Sequence, residues 1–212
     1  SLPSHLKPLE VNMRDSSREP AAPRSEQASL NRSILGKLLP MLPSTLTSLS
    51  VTDTRHVSDT CISQLPLGLR FLRLVHFTGK GASLGFTSAG LKNLPKGLTN
   101  LQLSLNSDVD ASAFFPFLPR FLDTLDFNRL ERIKDSDFAD LPRTLTNLAL
   151  SPAKDLTDQC IALLPLSVTE FTCKGSTHFT PQLLKLLPPR LDRLDIRSTR
   201  NFPKSTRATL PP

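Results

Sequence analysis

The sequence predicts an α/β repeat solenoid, with a parallel sheet on the concave face, short helices or 3₁₀ turns on the convex face, and about eight units of roughly 23 residues. Three observations carry that prediction. A Leu-Pro dipeptide recurs with its proline at Pro43, Pro66, Pro95, Pro119, Pro142, Pro165 and Pro188, at intervals of 23, 29, 24, 23, 23 and 23 residues. After every one of these prolines an apolar residue, or the small thiol of Cys173, stands three, six and eight positions on, as Leu145, Leu148 and Leu150 do after Pro142. A second in-phase set precedes the next proline by nine and four positions, as Leu156 and Ile161 precede Pro165.

Each half of the unit has a physical reading. Alternation at the sixth and eighth positions is the period of a strand, so those two side chains enter the core and their neighbours face away. Proline at the start of the strand fixes φ and gives up a donor where the ladder begins. The descending half reads as a short helix or 3₁₀ turn starting behind Ser58, Thr87, Thr157 or Thr180, whose hydroxyls are suited to cap it. In the unit ending at Pro119 one extra residue moves Val109 to ten positions back. A strand and a helical return repeated in one direction stack into a parallel sheet.

The register extends outward. Leu2-Pro3 is followed by the full ascending pattern through Leu6, Leu9 and Val11, so the first unit runs 40 residues from Pro3 to Pro43, with about 17 inserted. Phe202 and Pro211 keep the phase at the other end. Residues 1–212 are therefore read as a single repeat domain, with insertions over 12–33 and 75–85. The first insertion is rich in Pro, Ser and charge and is expected to be disordered when free. No polar cap closes either end, so the natural protein is expected to continue beyond Pro212 or to pair its ends with a partner.

Composition narrows the classes. An apolar content of 38% suffices for a core, and there is no run of eighteen apolar residues and no signal-peptide profile, so no membrane partner is expected. Cys61, Cys160 and Cys173 lie far apart without a CxxC pair, which argues against zinc and against a disulfide framework. A reducing compartment, cytoplasmic or nuclear, fits best.

The unit Leu141-Pro142-Arg143-Thr144-Leu145-Thr146-Asn147-Leu148-Ala149-Leu150 resembles the leucine-rich repeats, and its leading Leu-Pro is similar to the repeats of secreted bacterial IpaH-type ubiquitin ligases and the FNIP repeats of amoebae. The resemblance covers Leu2 to Pro211. It implies a curved solenoid that binds other proteins, with the substrate-recognition arm of a ubiquitin ligase as one such role. A second stretch, Asp155-Leu156-Thr157-Asp158-Gln159-Cys160-Ile161, resembles the cysteine-containing repeats of F-box substrate receptors, although no F-box is present. The departure is at the usual repeat asparagine, eleven after each proline. Here it falls on Thr54, Phe77, Asn106, Leu130, Ala153, Ser176 and Thr199, so the asparagine ladder is missing.

The fifth, seventh and ninth residues after each proline are expected to point out of the concave sheet. From them the candidate partner-binding residues are Phe71, Arg73, Asn100, Gln102, Asp126, Asn147, Glu170, Arg193, Asp195 and Arg197. Phe71, Arg73 and Arg193 are the strongest single anchors, because binding energy concentrates on aromatic and arginine side chains. Both insertions leave from the ends of strands, on one rim, and are expected to frame the same site. Of the formal charge of +7, five units arise after Leu183, where Lys185, Arg190, Arg193, Arg197, Arg200, Lys204 and Arg207 face only Asp192 and Asp195. That end offers an acidic partner or a nucleic acid as the alternative to a protein partner. No catalytic, cofactor or metal site is expected: His56 and His178 share a column but sit five units apart, and the carboxylate pairs Asp108/Asp110 and Asp135/Asp137 stand near helix starts, where they offset the helix dipole.

Overall fold

A computed structural model describes residues 9–12, 38–52, 54, 57–75, 85–105, 109–130 and 132–196. Among them eight strands, β1 (Leu9–Asn12), β2 (Ser48–Thr52), β3 (Phe71–Val75), β4 (Asn100–Ser104), β5 (Thr124–Asn128), β6 (Asn147–Ser151), β7 (Glu170–Cys173) and β8 (Arg193–Asp195), form one parallel sheet in chain order. Like pairs with like: Leu101 lies beside Leu125, Leu125 beside Leu148 and Leu148 beside Phe171. The insertions at 12–33 and 75–85 lie almost wholly outside the described residues.

The apolar phase is the core. Leu125, Phe127, Leu122 and Phe171 are fully buried, as are Leu156 and Phe179 of the descending half. Short helices occupy Asp59–Ser63, Ser88–Leu91 and Gln159–Ala162, while 3₁₀ turns occupy Ala111–Ala113, Phe115–Phe117, Asp135–Asp140 and Pro181–Lys185. The extra residue ahead of Pro119 goes into the double 3₁₀ turn, which places Phe114 and Phe115 side by side against Phe127. Their ring centroids stand 5.1 to 5.6 Å apart in two edge-on contacts and one stacked contact.

The caps form at the four expected hydroxyls. Ser58 accepts from the Cys61 amide, Thr87 from Ala89, Thr157 from Gln159 and Thr180 from Gln182. The aspartates near these starts do something the sequence reading did not foresee. Asp59, Asp135 and Asp158, each seven before a Leu-Pro proline, reach across to the next coil. Each carboxylate accepts from both the backbone amide and the hydroxyl of the next capping threonine: Asp59 from Thr87 at 2.7 Å and 2.7 Å, Asp135 from Thr157 at 2.9 Å and 2.5 Å, and Asp158 from Thr180 at 2.8 Å and 2.5 Å. Asp135 is therefore a coil-to-coil clamp rather than a dipole offset. Lys134 stands where a capping hydroxyl would be, and there the Asp137 carboxylate accepts from the Lys134 amide at 2.8 Å instead.

These clamps, with hydroxyls on the ascending side, supply backbone bonding in place of the missing asparagines. At the usual asparagine position Thr54, Leu130, Ala153 and Ser176 are all fully buried, and Ser176 alone of them donates across coils, to the Leu156 carbonyl at 2.7 Å. Ahead of the strands, the Thr144 hydroxyl reaches the Arg120 and Leu122 carbonyls, and Ser167 repeats this on Arg143 and Leu145. One position before the buried site, Arg129 and Gly175 take positive φ values of 65° and 87°. A Cβ on Gly175 would lie 3.2 Å from the Pro152 Cβ, so a side chain there would add a tight contact to the strain of positive φ.

Candidate functional site

The parallel register turns the outward strand residues into straight rows. In one row Ser48, Phe71, Asn100, Thr124, Asn147, Glu170 and Arg193 are consecutive neighbours. In the next run Ser50, Arg73, Gln102, Asp126, Ala149, Thr172 and Asp195. Except for Ser50 these residues are half-buried or exposed, because both rows stand on the sheet face turned away from the core. Nine of the ten candidate residues therefore lie in two adjoining rows. Arg197 lies outside the described residues.

The ninth-position row needs correction. Val75 and Ser104 are 5% and 3% exposed, while Thr52, Asn128, Ser151 and Lys174 are half-buried, so only part of that row is open. Ser50, in the seventh-position row, is also buried, its short side chain set beside Arg73.

The centre of the face is organised by Asp126. Gln102 Nε2 donates to its Oδ2 at 2.9 Å and Asn128 Nδ2 to its Oδ1 at 3.3 Å, so both carboxylate oxygens are engaged. Burial pushes the Asp126 carboxyl above its ordinary value of 3.8, against the opposing effects of the Gln102 hydrogen bond and of the Lys174 and Arg73 charges. The amides of Asn100 and Asn147 are oriented from one side, Asn100 by a 2.9 Å contact with Thr99 Oγ1 and Asn147 by a 2.6 Å contact with Thr146 Oγ1. Asn128, Lys174, Thr99 and Thr146 were not singled out from the sequence. Their signal is positional, since they flank the outward residues on the same or neighbouring strands.

At the far end Arg193 is partnered, its Nη1 lying 3.2 Å from Glu170 Oε2, with side-chain exposures of 71% and 39%. A pair so open to water contributes little stability, so both groups are available for exchange with a partner's charges. Of the basic cluster beyond Leu183, Lys185 and Arg190 are exposed, and Arg197, Arg200, Lys204 and Arg207 lie outside the described residues.

The groups that suggest chemistry are elsewhere. Cys160 and Cys173 are fully buried, and burial raises both thiols, Cys173 to about 12. They pack as small apolar side chains. Among the described residues no group of three or more His, Cys, Asp or Glu is placed to hold a metal ion, and no helix is long and apolar enough to cross a membrane.

The class these features define is a parallel-sheet solenoid with a polar face of regularly spaced side chains. Compared with protein families and with curated proteins, the chain matches none. Among solved structures it is similar to the leucine-rich repeat-containing protein LegL7 from Legionella pneumophila, at 14% identity and a TM-score of 0.41, over 84% of this chain and 74% of that one.

Proposed function

We propose that the chain is a protein-interaction module that holds its partner against the open face of the sheet, across the rows from β3 to β8. The single observation that carries this is the arrangement of that face. A half-buried aromatic and a half-buried arginine, Phe71 and Arg73, adjoin an ordered polar patch, Asn100, Gln102 and Asp126, in fixed register. Side chains held by their neighbours lose little freedom on binding, and the aromatic and arginine are the residue types on which binding energy concentrates. The rim bearing the two insertions adds to this surface. The likeness of the Leu-Pro unit to IpaH-type repeats, and of residues 155–161 to the repeats of F-box receptors, supports a role as the substrate-recognition arm of a ubiquitin ligase.

The test is affinity capture from native extract, with wild type compared to a Phe71→Ala/Arg73→Glu variant and to Gln159→Ala on the helical side. The expected outcome is a partner lost by the first variant and kept by the second. For the ligase role, ubiquitin-ligase subunits should be retained through the chain in the same eluate. A partner retained equally by all three proteins overturns the proposal.

A further inference from the structure

The turns that lead from each helix into the next strand carry a second surface. Because the strands are parallel and in register, these turns stand side by side along one edge of the sheet, at roughly 4.8 Å per strand. This edge is opposite the one from which the insertions leave. It is unusually apolar for a solvent edge. Leu67 is 85% exposed, Leu166 72%, Phe121 65%, Phe117 43% and Leu163 42%, and all five stand within two residues of a Leu-Pro proline.

The same edge is cationic. Lys92, Lys96, Arg120, Arg143, Lys185 and Arg190 are exposed on these turns, against three exposed carboxylates, Asp123, Asp140 and Asp192. Among the described residues none of the six is ion-paired. Lys92 lies over the Phe117 ring at 4.5 Å, and Lys96 donates to the Lys92 and Phe117 carbonyls at 3.3 Å and 3.4 Å, so the ammonium groups bracket an exposed aromatic.

We infer that this Leu-Pro edge rests on the surface of an anionic lipid bilayer, with the leucines and phenylalanines entering the headgroup boundary and the lysines and arginines meeting the lipid charge. Apolar side chains that project beside unpaired cations are what interfacial binding requires. Charge decides among the occupants. A second copy of the chain would set one cationic edge against another. A partner helix needs a groove to lie in, whereas a row of projecting turns forms a ridge. The expectation of no membrane partner rested on spanning segments, and this contact needs none.

The test is co-sedimentation of the whole chain with vesicles of phosphatidylcholine alone or with about 30 mol % phosphatidylserine, at low salt and at about 0.5 M salt. The expected result is binding to the anionic vesicles only, weakened by salt. It should fall about tenfold or more in Leu67→Glu/Leu166→Glu, and about fivefold in each of Lys96→Gln, Arg120→Gln and Arg143→Gln. These side chains are exposed, and circular dichroism should show each variant folded. Arg73→Glu, on the sheet face, should sediment like wild type. No binding to anionic vesicles, or binding unchanged in the edge variants, overturns the inference. So does an edge that captures polyglutamate or an oligonucleotide while leaving the vesicles unbound.

Discussion

Removal of the Asp158 carboxylate is the sharpest test of what holds successive coils together. Asp158→Ala takes away the acceptor for the Thr180 amide at 2.8 Å and for the Thr180 hydroxyl at 2.5 Å, and leaves the helix cap intact because Thr157, not Asp158, accepts from Gln159. A hydrogen bond to a charged group contributes about 1.5 to 3 kcal/mol, and the two share one carboxylate in a half-buried site where water replaces part of the loss. The expected destabilisation is about 2 kcal/mol, a fall in Tm of roughly 4 to 8 °C for a domain of this size. Urea unfolding followed by circular dichroism measures the total, and hydrogen exchange at the Thr180 amide measures the local part. Thr180→Val removes the hydroxyl half together with the cap on the Gln182 amide, and the double variant completes a cycle that isolates the clamp, whose coupling should be about 1 to 2 kcal/mol. A loss below about 0.5 kcal/mol in Asp158→Ala, or a coupling near zero, would refute the clamp as a stabilising contact and return the aspartate to an ordinary charge at a helix start.

Phe127→Ala should destabilise by about 3 to 5 kcal/mol in the same urea assay, because it opens a cavity beside Phe114 and Phe115, whose rings are already packed against each other and cannot fill it. Gly175→Ala should lose about 1 to 2 kcal/mol from φ alone, with the Pro152 contact adding to it; an unchanged midpoint would show that the turn relaxes to negative φ. Asp126 makes stability depend on pH in a defined sense. Its folded pKa lies above 3.8, so ionisation opposes folding: the penalty is fully present above the folded pKa and is relieved as pH falls through it toward 3.8. Relative to Asp126→Asn, wild type should therefore gain stability between pH of about 7 and 4. A relative loss would show that the Gln102 bond and the nearby cations outweigh burial.

The strands were legible because each contributes two core side chains at a spacing nothing else imitates, so Leu125 and Phe127 or Leu148 and Leu150 declare their face unaided. The capping hydroxyls were legible for a similar reason, being single groups with local targets. The clamps were not. An aspartate one residue after a helix's capping position looks the same in sequence whether it offsets its own helix dipole or reaches the next coil, and only the stacking distance decides. The recurrence of Asp59, Asp135 and Asp158 at one phase was the available signal. On the open face the rows followed from strand alternation, but the bonds within them did not. Gln102 and Asp126 are 24 residues apart, and only the register makes them partners. The cationic apolar edge escaped notice because its residues occupy no one phase: Leu67 and Leu166 follow the proline directly, Phe121 stands two after it and Phe117 and Leu163 two before.

The same bonds divide the open face into two kinds of position. Phe71 on β3 and Asn147 on β6 stand on strands whose core side chains face the other way, so their replacement changes what the face offers and leaves the core as it was. Asp126 differs, because its carboxylate is desolvated and held by donors from β4 and from its own strand. Substituting Gln102 strips a hydrogen bond that lowers the Asp126 pKa, so the same change that removes a contact for a partner also raises the pKa of the residue beside it. Substitutions at Gln102, Asn128 and Asp126 should therefore be non-additive in both stability and binding, while those at Phe71 and Asn147 should add. A partner that reads Asp126 reads a carboxylate held in place by Gln102 and Asn128, and the centre of the face is less free to vary than its ends.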